Sequence, residues 1–320
     1  QETSVVPTDF SHALKVQTTT ADSSIAAGQR LIVAQRLEGQ NVSHLKWGTS
    51  DAKTITVSFY VRSSITGTHG GAIGNGSDNR NYPFTYTISS ADTWERKTIT
   101  IPGDTTGTWA TGNGRSIQIV WGLGVGSTYS GTAGAWAAGD INSATGATTG
   151  VLGTLNATWY LTGVQLEVGD TATTFEHRSY QQELEDCMRY FFSALGDTAS
   201  NYSTFPINHR NHISTGNNGH IAFQVALPTR MRTRPTLIHN LANSNHSGSG
   251  VGANTTTWNF YHQNQGWSSY AGNGNMNTLS GGPSGNAGVT LGTYYISPAG
   301  ASGDQLAIGN ALQMHFSAEL

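Results

Sequence analysis

Two groups of aromatic residues lie among amide, hydroxyl and glycine residues, without the neighbours that a hydrophobic core requires. The first group contains Trp109, Tyr129 and Trp136, and the second contains Trp258, Tyr261, Trp267 and Tyr270. The apolar faces of a sugar stack on aromatic rings, while its hydroxyl groups pair with amides and backbone groups. Both groups are therefore candidate glycan-binding sites. Core packing is the alternative, and we expect it for Trp47, Trp121 and Trp159, which lie in or beside predicted strands.

Carboxylates are too scattered to predict catalysis. Hydrolysis of a glycosidic bond needs two carboxyl groups flanking it. The last part of the chain, beyond the helical segment described below, offers only Asp197, Asp304 and Glu319. No Gly-x-Ser-x-Gly nucleophile motif occurs in a strand-to-helix context. We predict that the chain is not an enzyme.

The histidines and aspartates do not predict a metal site. His209 and His212 are three residues apart, whereas two side chains on one face of a strand are two apart. We interpret them as surface hydrogen-bonding groups. Asp9, Asp51 and Asp170 are candidate calcium ligands by residue type, without a diagnostic spacing. The sequence therefore predicts no cofactor and leaves calcium open.

The composition excludes several classes of protein. Of 320 residues, 36% are hydrophobic, 40 are glycine and only 11% are charged. The hydrophobic content is too high for a disordered chain, and no apolar run approaches the ~18 residues of a membrane helix. The net charge of −3, without a basic block, argues against nucleic acid as a partner. An uncharged, glycine-rich chain with many aromatics is typical of an extracellular or virion β protein.

Alternation of apolar and polar residues predicts strands in both halves of the chain. The clearest segments are 55–61, 99–101, 117–123, 160–168, 221–227 and 312–316. We therefore predict a mainly β protein with two β-sandwich, jelly-roll-like domains joined by one α-helix. Residues 243–288 are polar and have a weak pattern, and we interpret them as long connections that intertwine in a trimer.

One segment has helical spacing. Its apolar stripe consists of Tyr180, Leu184, Cys187 and Phe191. Ser179 is a predicted N-cap, with Gln182 completing a capping box three residues later. We predict a connecting helix at 179–194, between a carbohydrate-binding-module-like jelly roll at 1–178 and a terminal β-sandwich at 195–320.

Cys187 is the only cysteine of the chain. An intramolecular disulfide and a zinc cluster built on thiolates are therefore excluded. Because Cys187 lies on the apolar stripe and free cysteine is among the most buried residue types, we predict that it is buried and has no redox function.

Several segments carry a resemblance to one family. Thr162–Gly169 followed by Thr173–Arg178 resembles a signature of bacteriophage tail fibre and related virion proteins, especially those of marine phages. Segments similar to the rest of that family are Glu183–Phe191, Gln35–Gly39, Val57–Arg62, Thr98–Gly103, Met231–Thr236 and Ser317–Leu320. The resemblance implies a β-sandwich of the carbohydrate-binding-module type, a helix and a second β-sandwich. It also implies a location in the virion and assembly as a trimer.

These observations together predict a bacteriophage virion appendage of the tail fibre or spike type. It would be a homotrimer on the virion surface, contacting other virion proteins and presenting a binding surface for a host polysaccharide or receptor, without nucleic-acid binding or membrane insertion. The alternative is a structural protein that decorates the capsid or forms a head fibre. A second alternative is a secreted polysaccharide depolymerase.

Overall fold

The computed structural model divides into two units, Gln1–His177 and Arg178–Glu319. The structure describes residues 1–193, 229, 231–232 and eleven strands beyond residue 200, with side chains described for residues 1–192, 229, 231 and 232. Among these residues, no helix has the length and apolar character needed to cross a membrane.

The first unit contains eleven strands and four short helical turns. The strands are β1 (Leu14–Gln17), β2 (Arg30–Glu38), β3 (Ile55–Ser63), β4 (Gly67–Asn75), β5 (Arg80–Ile88), β6 (Glu95–Ile101), β7 (Arg115–Val125), β8 (Ser130–Gly131), β9 (Ala137–Ala138), β10 (Ser143–Ala144) and β11 (Thr158–Val168). The helical turns are α1 (Gly39–Val42), α2 (Gly150–Gly153) and two 3₁₀ turns at Ser43–Leu45 and Ser127–Tyr129.

Two antiparallel sheets form a β-sandwich. One has the strand order β1-β11-β3-β6, and the other has the order β2-β7-β4-β5-β9. The core lies between them, because the alternating apolar residues of β3 and β7 belong to one cluster of buried side chains. Phe59 of β3 and Trp121 of β7 meet there with ring centroids 5.6 Å apart. The mainly β fold class is confirmed, and so is the core position of Trp47, Trp121 and Trp159, which are 7%, 1% and 0% exposed.

Strand β4 escaped the sequence prediction because glycines interrupt its apolar alternation. A Cβ atom on Gly70 would lie 2.3 Å from Ser143 Oγ, and one on Gly122 would lie 3.0 Å from the same atom. The absence of side chains at these positions lets the loop between β7 and α2 pack directly on the outer face of the five-stranded sheet. This loop covers a face that a simple sandwich leaves open.

Residues 169–177, here called the return segment, run back over the outer face of the four-stranded sheet. The Glu167 carboxylate accepts a hydrogen bond from the Thr173 N–H (3.1 Å), and Gln165 Oε1 accepts one from the Glu176 N–H (2.8 Å). The ring of Phe175 packs on that of Phe10 with centroids 5.0 Å apart. The signature at 162–178 is thus a strand together with the segment that its own side chains hold down.

Gly163 begins the bulge that makes this arrangement fit. The pairing of β11 with β3 shifts register between Thr162 and Gln165, and Gly163 has a φ of +58°. A Cβ atom on Gly163 would lie 2.5 Å from Phe10 Cζ. A residue without a side chain is therefore required there for both backbone and packing reasons.

His69 of β4 is a buried polar residue in the core. It is fully buried, its Nε2 lies 3.0 Å from the Ile65 carbonyl oxygen, and its ring stacks on that of Tyr86 at 5.5 Å. Burial lowers the pKa of His69, and the hydrogen bond to Ile65 offsets only part of this effect. The folded protein therefore holds this histidine neutral.

We expect His69 to make folding stability fall at mildly acidic pH. Because the pKa of His69 is lower in the folded state, the unfolded chain binds a proton at this residue first as pH drops below about 6.5. In that range the unfolding free energy falls by about 1.4 kcal/mol per pH unit. His69→Gln should remove this component of the pH dependence. Urea unfolding of both proteins from pH 8 to pH 5 measures it, and parallel pH profiles would contradict the prediction.

The second unit begins with a helix that is shorter than predicted. Helix α3 spans Tyr180–Met188, and the Ser179 hydroxyl accepts a hydrogen bond from the Gln182 N–H (3.3 Å), so the predicted cap is confirmed. The predicted extension to 194 is wrong. Residues Phe191–Ser193 form strand β12 instead, paired with Met314–Ser317.

The prediction that Cys187 is buried is also wrong, because Cys187 is exposed. Tyr180 at the start of the same stripe is 78% exposed, and Phe191 beyond the helix is 43% exposed. Helical spacing placed Tyr180 and Cys187 in one helix, but it did not determine whether their face is covered, and it does not apply to Phe191, which lies in β12.

Among the described residues of the second unit, eleven further strands follow β12. They are Tyr202–Phe205, Ile213–Thr215, Asn218–Val225, Thr236–His239, Val251–Ala253, Thr257–His262, Gly266–Ala271, Gly274–Leu279, Val289–Ile296, Gln305–Gly309 and Met314–Ser317. The interpretation of 243–288 as long connections is wrong, since four of these strands lie within it and pair with strands of the same chain.

Candidate glycan-binding site

Three indole rings meet at one end of the first unit. Trp47 follows the first 3₁₀ turn, Trp109 lies in the loop between β6 and β7, and Trp136 precedes β9. Ring centroids are 4.6 Å apart for Trp47 and Trp109, 5.3 Å for Trp47 and Trp136, and 5.6 Å for Trp109 and Trp136. All three pairs meet edge to face, an arrangement in which aromatic rings attract one another.

The indole N–H groups all point to acceptors within the protein. Trp47 Nε1 donates to the Lys53 carbonyl (2.7 Å), and Trp136 Nε1 donates to the Pro102 carbonyl (2.9 Å). Trp109 Nε1 donates to the Asp104 carboxylate (3.2 Å). What these rings offer a ligand is therefore an apolar surface and not a hydrogen bond.

Asp104 connects the cluster of three indoles to Arg80. Its side chain is 1% exposed and binds Arg80 through both carboxylate oxygens, with Arg80 Nη2 2.8 Å from Oδ1 and Nε 3.0 Å from Oδ2. Burial by itself would raise the pKa of Asp104. Hydrogen bonds from Arg80, Thr106 and Trp109 outweigh that effect and hold the pKa below its ordinary value. Asp104 is therefore a structural anion committed to internal partners.

A cavity of about 390 Å³ lies against two of the indoles. Trp47 and Trp109 line one part of it, and α1 and the turn that follows form another. Lys46 and Asp51, joined by a 3.2 Å ion pair, also line the cavity. Five Ser and Thr residues also line the cavity. Perpendicular aromatic walls with donors and acceptors beside them suit a ligand that has both apolar faces and hydroxyl groups.

The three aromatics of the first predicted group do not form one site. Trp109 lines the cavity, whereas Trp136 packs behind it against Trp47 and Tyr82. Tyr129 lies apart, and the Arg30 guanidinium is stacked over its ring at 4.2 Å. Among residues 1–192, no aromatic ring contact links Tyr129 to the three indoles.

The second predicted group lies in one hairpin. Trp258 is paired with Tyr270, and Tyr261 is paired with Trp267, between strands Thr257–His262 and Gly266–Ala271. The backbone at these four residues is therefore strand, not the loop that the polar neighbours suggested. Their side chains lie outside the described residues, so their role in binding stays a prediction.

Two residues that line the cavity, Trp47 and Lys46, were not predicted from the sequence to be binding residues. Trp47 was assigned to the core because it lies close to a predicted strand, and it does contribute to the core while also lining the cavity. Lys46 belongs to no sequence motif that would indicate binding. The local signal was Gly48, directly after Trp47, since glycine marks turns.

Hydrolytic and metal chemistry gain no support from this geometry. Asp51 is the single carboxylate lining the cavity, while retaining and inverting glycosidases use two. Within the described residues, no group of three or more His, Cys, Asp or Glu side chains is arranged to hold a metal ion, and Asp9, Asp51 and Asp170 belong to none. His209 and His212 lie outside the described residues.

Comparisons with known proteins give only distant structural likenesses. No protein-family model and no curated protein matches the sequence. A CBM4 structure is 16% identical over 49% of this chain and 71% of its own, with a TM-score of 0.28. A chain of Sulfolobus turreted icosahedral virus is 10% identical over 96% of this chain and 60% of its own (TM-score 0.21), and one of Macrobrachium rosenbergii nodavirus is 8% identical over 97% and 91% (0.20). Likenesses at these TM-scores decide nothing about function.

Proposed function

We propose that this protein is a non-catalytic glycan-binding component of a bacteriophage virion appendage, of the tail fibre or spike type. The observation that carries the binding role is the 390 Å³ cavity with perpendicular Trp47 and Trp109 walls beside Lys46, Asp51 and several hydroxyl groups. The ligand would be a surface polysaccharide or receptor glycan of the host.

The virion location rests on the sequence resemblance at 162–178. The structure gives that signature a physical role, since Gln165 and Glu167 hold the return segment on the sheet. Holding this segment in place would suit any rigid β protein of the virion surface. A capsid-decorating or head-fibre protein therefore stays the alternative. A polysaccharide depolymerase is less well supported, because the cavity lacks a second carboxylate.

Replacing Trp109 tests the binding role. We expect Trp109→Ala to lower affinity about fivefold or more, because the ligand loses its stacking surface, a contact worth about 1 kcal/mol or more. The ligand is chosen by screening the wild-type protein on a panel of bacterial capsular and O-antigen polysaccharides. Titration calorimetry with the best binder then measures the change.

Trp136→Ala is the matched control. It removes another half-buried indole from the same cluster, with its own internal hydrogen bond, yet Trp136 does not line the cavity. Near-ultraviolet circular dichroism verifies that both variants are folded. Retained affinity in Trp109→Ala, or equal losses in both variants, would contradict this site. Trp267→Ala, assayed with the same glycan, tests the hairpin of the second unit in the same way.

The appendage role includes assembly as a homotrimer. We expect sedimentation equilibrium to give three times the 33.9 kDa chain mass at micromolar concentration. Trimerisation would also strengthen attachment, because three weak sites on one particle bind a repetitive polysaccharide with higher avidity than one. A stable monomer at that concentration would contradict it.

A further inference from the structure

Lys46 and Asp51 give the cavity a pair of opposite charges that contributes little to folding. The Lys46 Nζ and Asp51 Oδ2 atoms are 3.2 Å apart, and the two side chains keep 55% and 67% of their exposure. Exposed pairs of this kind are screened by solvent and have little net effect on stability. The pair is therefore free to exchange its mutual contact for contacts with a ligand.

The backbone of Lys46 is held in a conformation that a lysine seldom adopts. Its φ and ψ are 54° and 29°, in the left-handed region where glycine is favoured. Two hydrogen bonds fix it there: the Lys46 N–H donates to the Ser43 carbonyl (3.1 Å), and the Lys46 carbonyl accepts from the Thr49 hydroxyl (2.7 Å). The turn therefore holds Lys46 in one backbone conformation, which limits where its side chain can reach.

Asp51 is placed by the same turn. The Asp51 N–H donates to Thr49 Oγ1 (3.2 Å), and the Lys53 N–H donates to the Leu45 carbonyl (2.9 Å), which closes the turn. The indole Nε1–H of Trp47 also donates to the Lys53 carbonyl (2.7 Å). One rigid turn therefore presents an ammonium donor, a carboxylate acceptor and an aromatic wall to the same cavity.

Resting on the proposed function, we propose that this turn selects uncharged sugars. The Lys46 ammonium donates to one hydroxyl of a neutral pyranose and the Asp51 carboxylate accepts from a neighbouring hydroxyl, while the sugar ring lies against the indoles. An acidic sugar is disfavoured, because its carboxylate would come close to that of Asp51 and because the chain carries a net charge of −3. Lys46 and Asp51 are thus specificity-determining residues.

The test uses neutral hexose oligosaccharides and oligogalacturonides of matched length as probes. We expect the wild type to bind a neutral probe with an affinity that barely changes up to ~0.5 M NaCl, since the ligand has no charge to screen. Lys46→Gln and Asp51→Asn should each lower that affinity about tenfold. Lys46→Gly should lower it equally while raising the melting temperature by about 2 °C, because glycine relaxes the left-handed turn.

The outcomes separate this inference from the binding role itself. If the wild type prefers oligogalacturonides, or if Asp51→Asn leaves their weaker binding unchanged, selection for neutral sugars by this turn is wrong although the protein binds glycans. If a neutral probe binds and is lost in Trp109→Ala, but Lys46→Gln and Asp51→Asn bind normally, the pair does not contact the ligand. If neither probe class nor any polysaccharide of the panel binds, the proposed function fails as well.

Discussion

Asp104→Ala is expected to lower the unfolding free energy by about 3 kcal/mol, since it leaves a partly buried Arg80 without its carboxylate partner. The Arg80 side chain is 25% exposed, so water recovers some of the loss. The same substitution removes an acceptor of the Trp109 indole Nε1–H and an acceptor of the Thr106 backbone N–H. Urea unfolding at pH 7 measures the effect, and a loss below about 1 kcal/mol would show that Asp104 does not anchor this end of the sandwich.

Asp51→Ala is the control for that measurement. It breaks an ion pair of similar length whose members are both more than half exposed, so we expect a change within about 0.5 kcal/mol.

The stabilisation from Asp104 should also depend on pH. Because its folded pKa is lowered, it is fully present above the unfolded value of about 3.9 and is lost as pH falls through the folded value. The difference in unfolding free energy between wild type and Asp104→Asn, measured by urea unfolding, should therefore shrink as pH falls below about 3.9.

Gly163→Ala is expected to destabilise the first unit by about 2–4 kcal/mol. The left-handed backbone accounts for about 1–2 kcal/mol, and the collision of the new methyl group with Phe10 accounts for the rest. Thermal or urea unfolding measures the loss. Limited proteolysis near 169–177 should also become faster, because Phe10 packs on Phe175 of the return segment.

Gly134→Ala separates the two causes. Gly134 has a φ of +88°, yet no atom lies within 4 Å of the place where its Cβ would be, so this variant reports backbone strain alone. Phe10→Ala combined with Gly163→Ala should then recover the packing part of the loss in a double-mutant cycle. Full additivity of the two substitutions would contradict the collision.

Strand alternation sufficed to predict the sandwich, because β3, β7 and β11 carry mainly apolar residues toward the core and mainly polar residues or glycine on the other face. It failed at β4, where glycine accommodates a loop that is distant in sequence. The same contrast between local sequence signals and contacts made only in the folded chain holds for the candidate site. Trp109 was identified from its polar neighbours, whereas Lys46 and Asp51 matter through a turn geometry and a cavity that only the folded chain creates. Likewise, the helical stripe containing Cys187 predicted a face but not what covers it.

The contact between Phe10 and Phe175 has a consequence for how this domain can be inherited. The two rings lie near opposite ends of the first unit's sequence, yet their centroids are 5.0 Å apart, and His177 packs on both. The chain thus enters and leaves the sandwich at one point, and a domain with that geometry can be inserted into a loop of another chain while changing the path of the host backbone very little. Residues 10–177 therefore have the closely spaced ends that insertion into another chain requires.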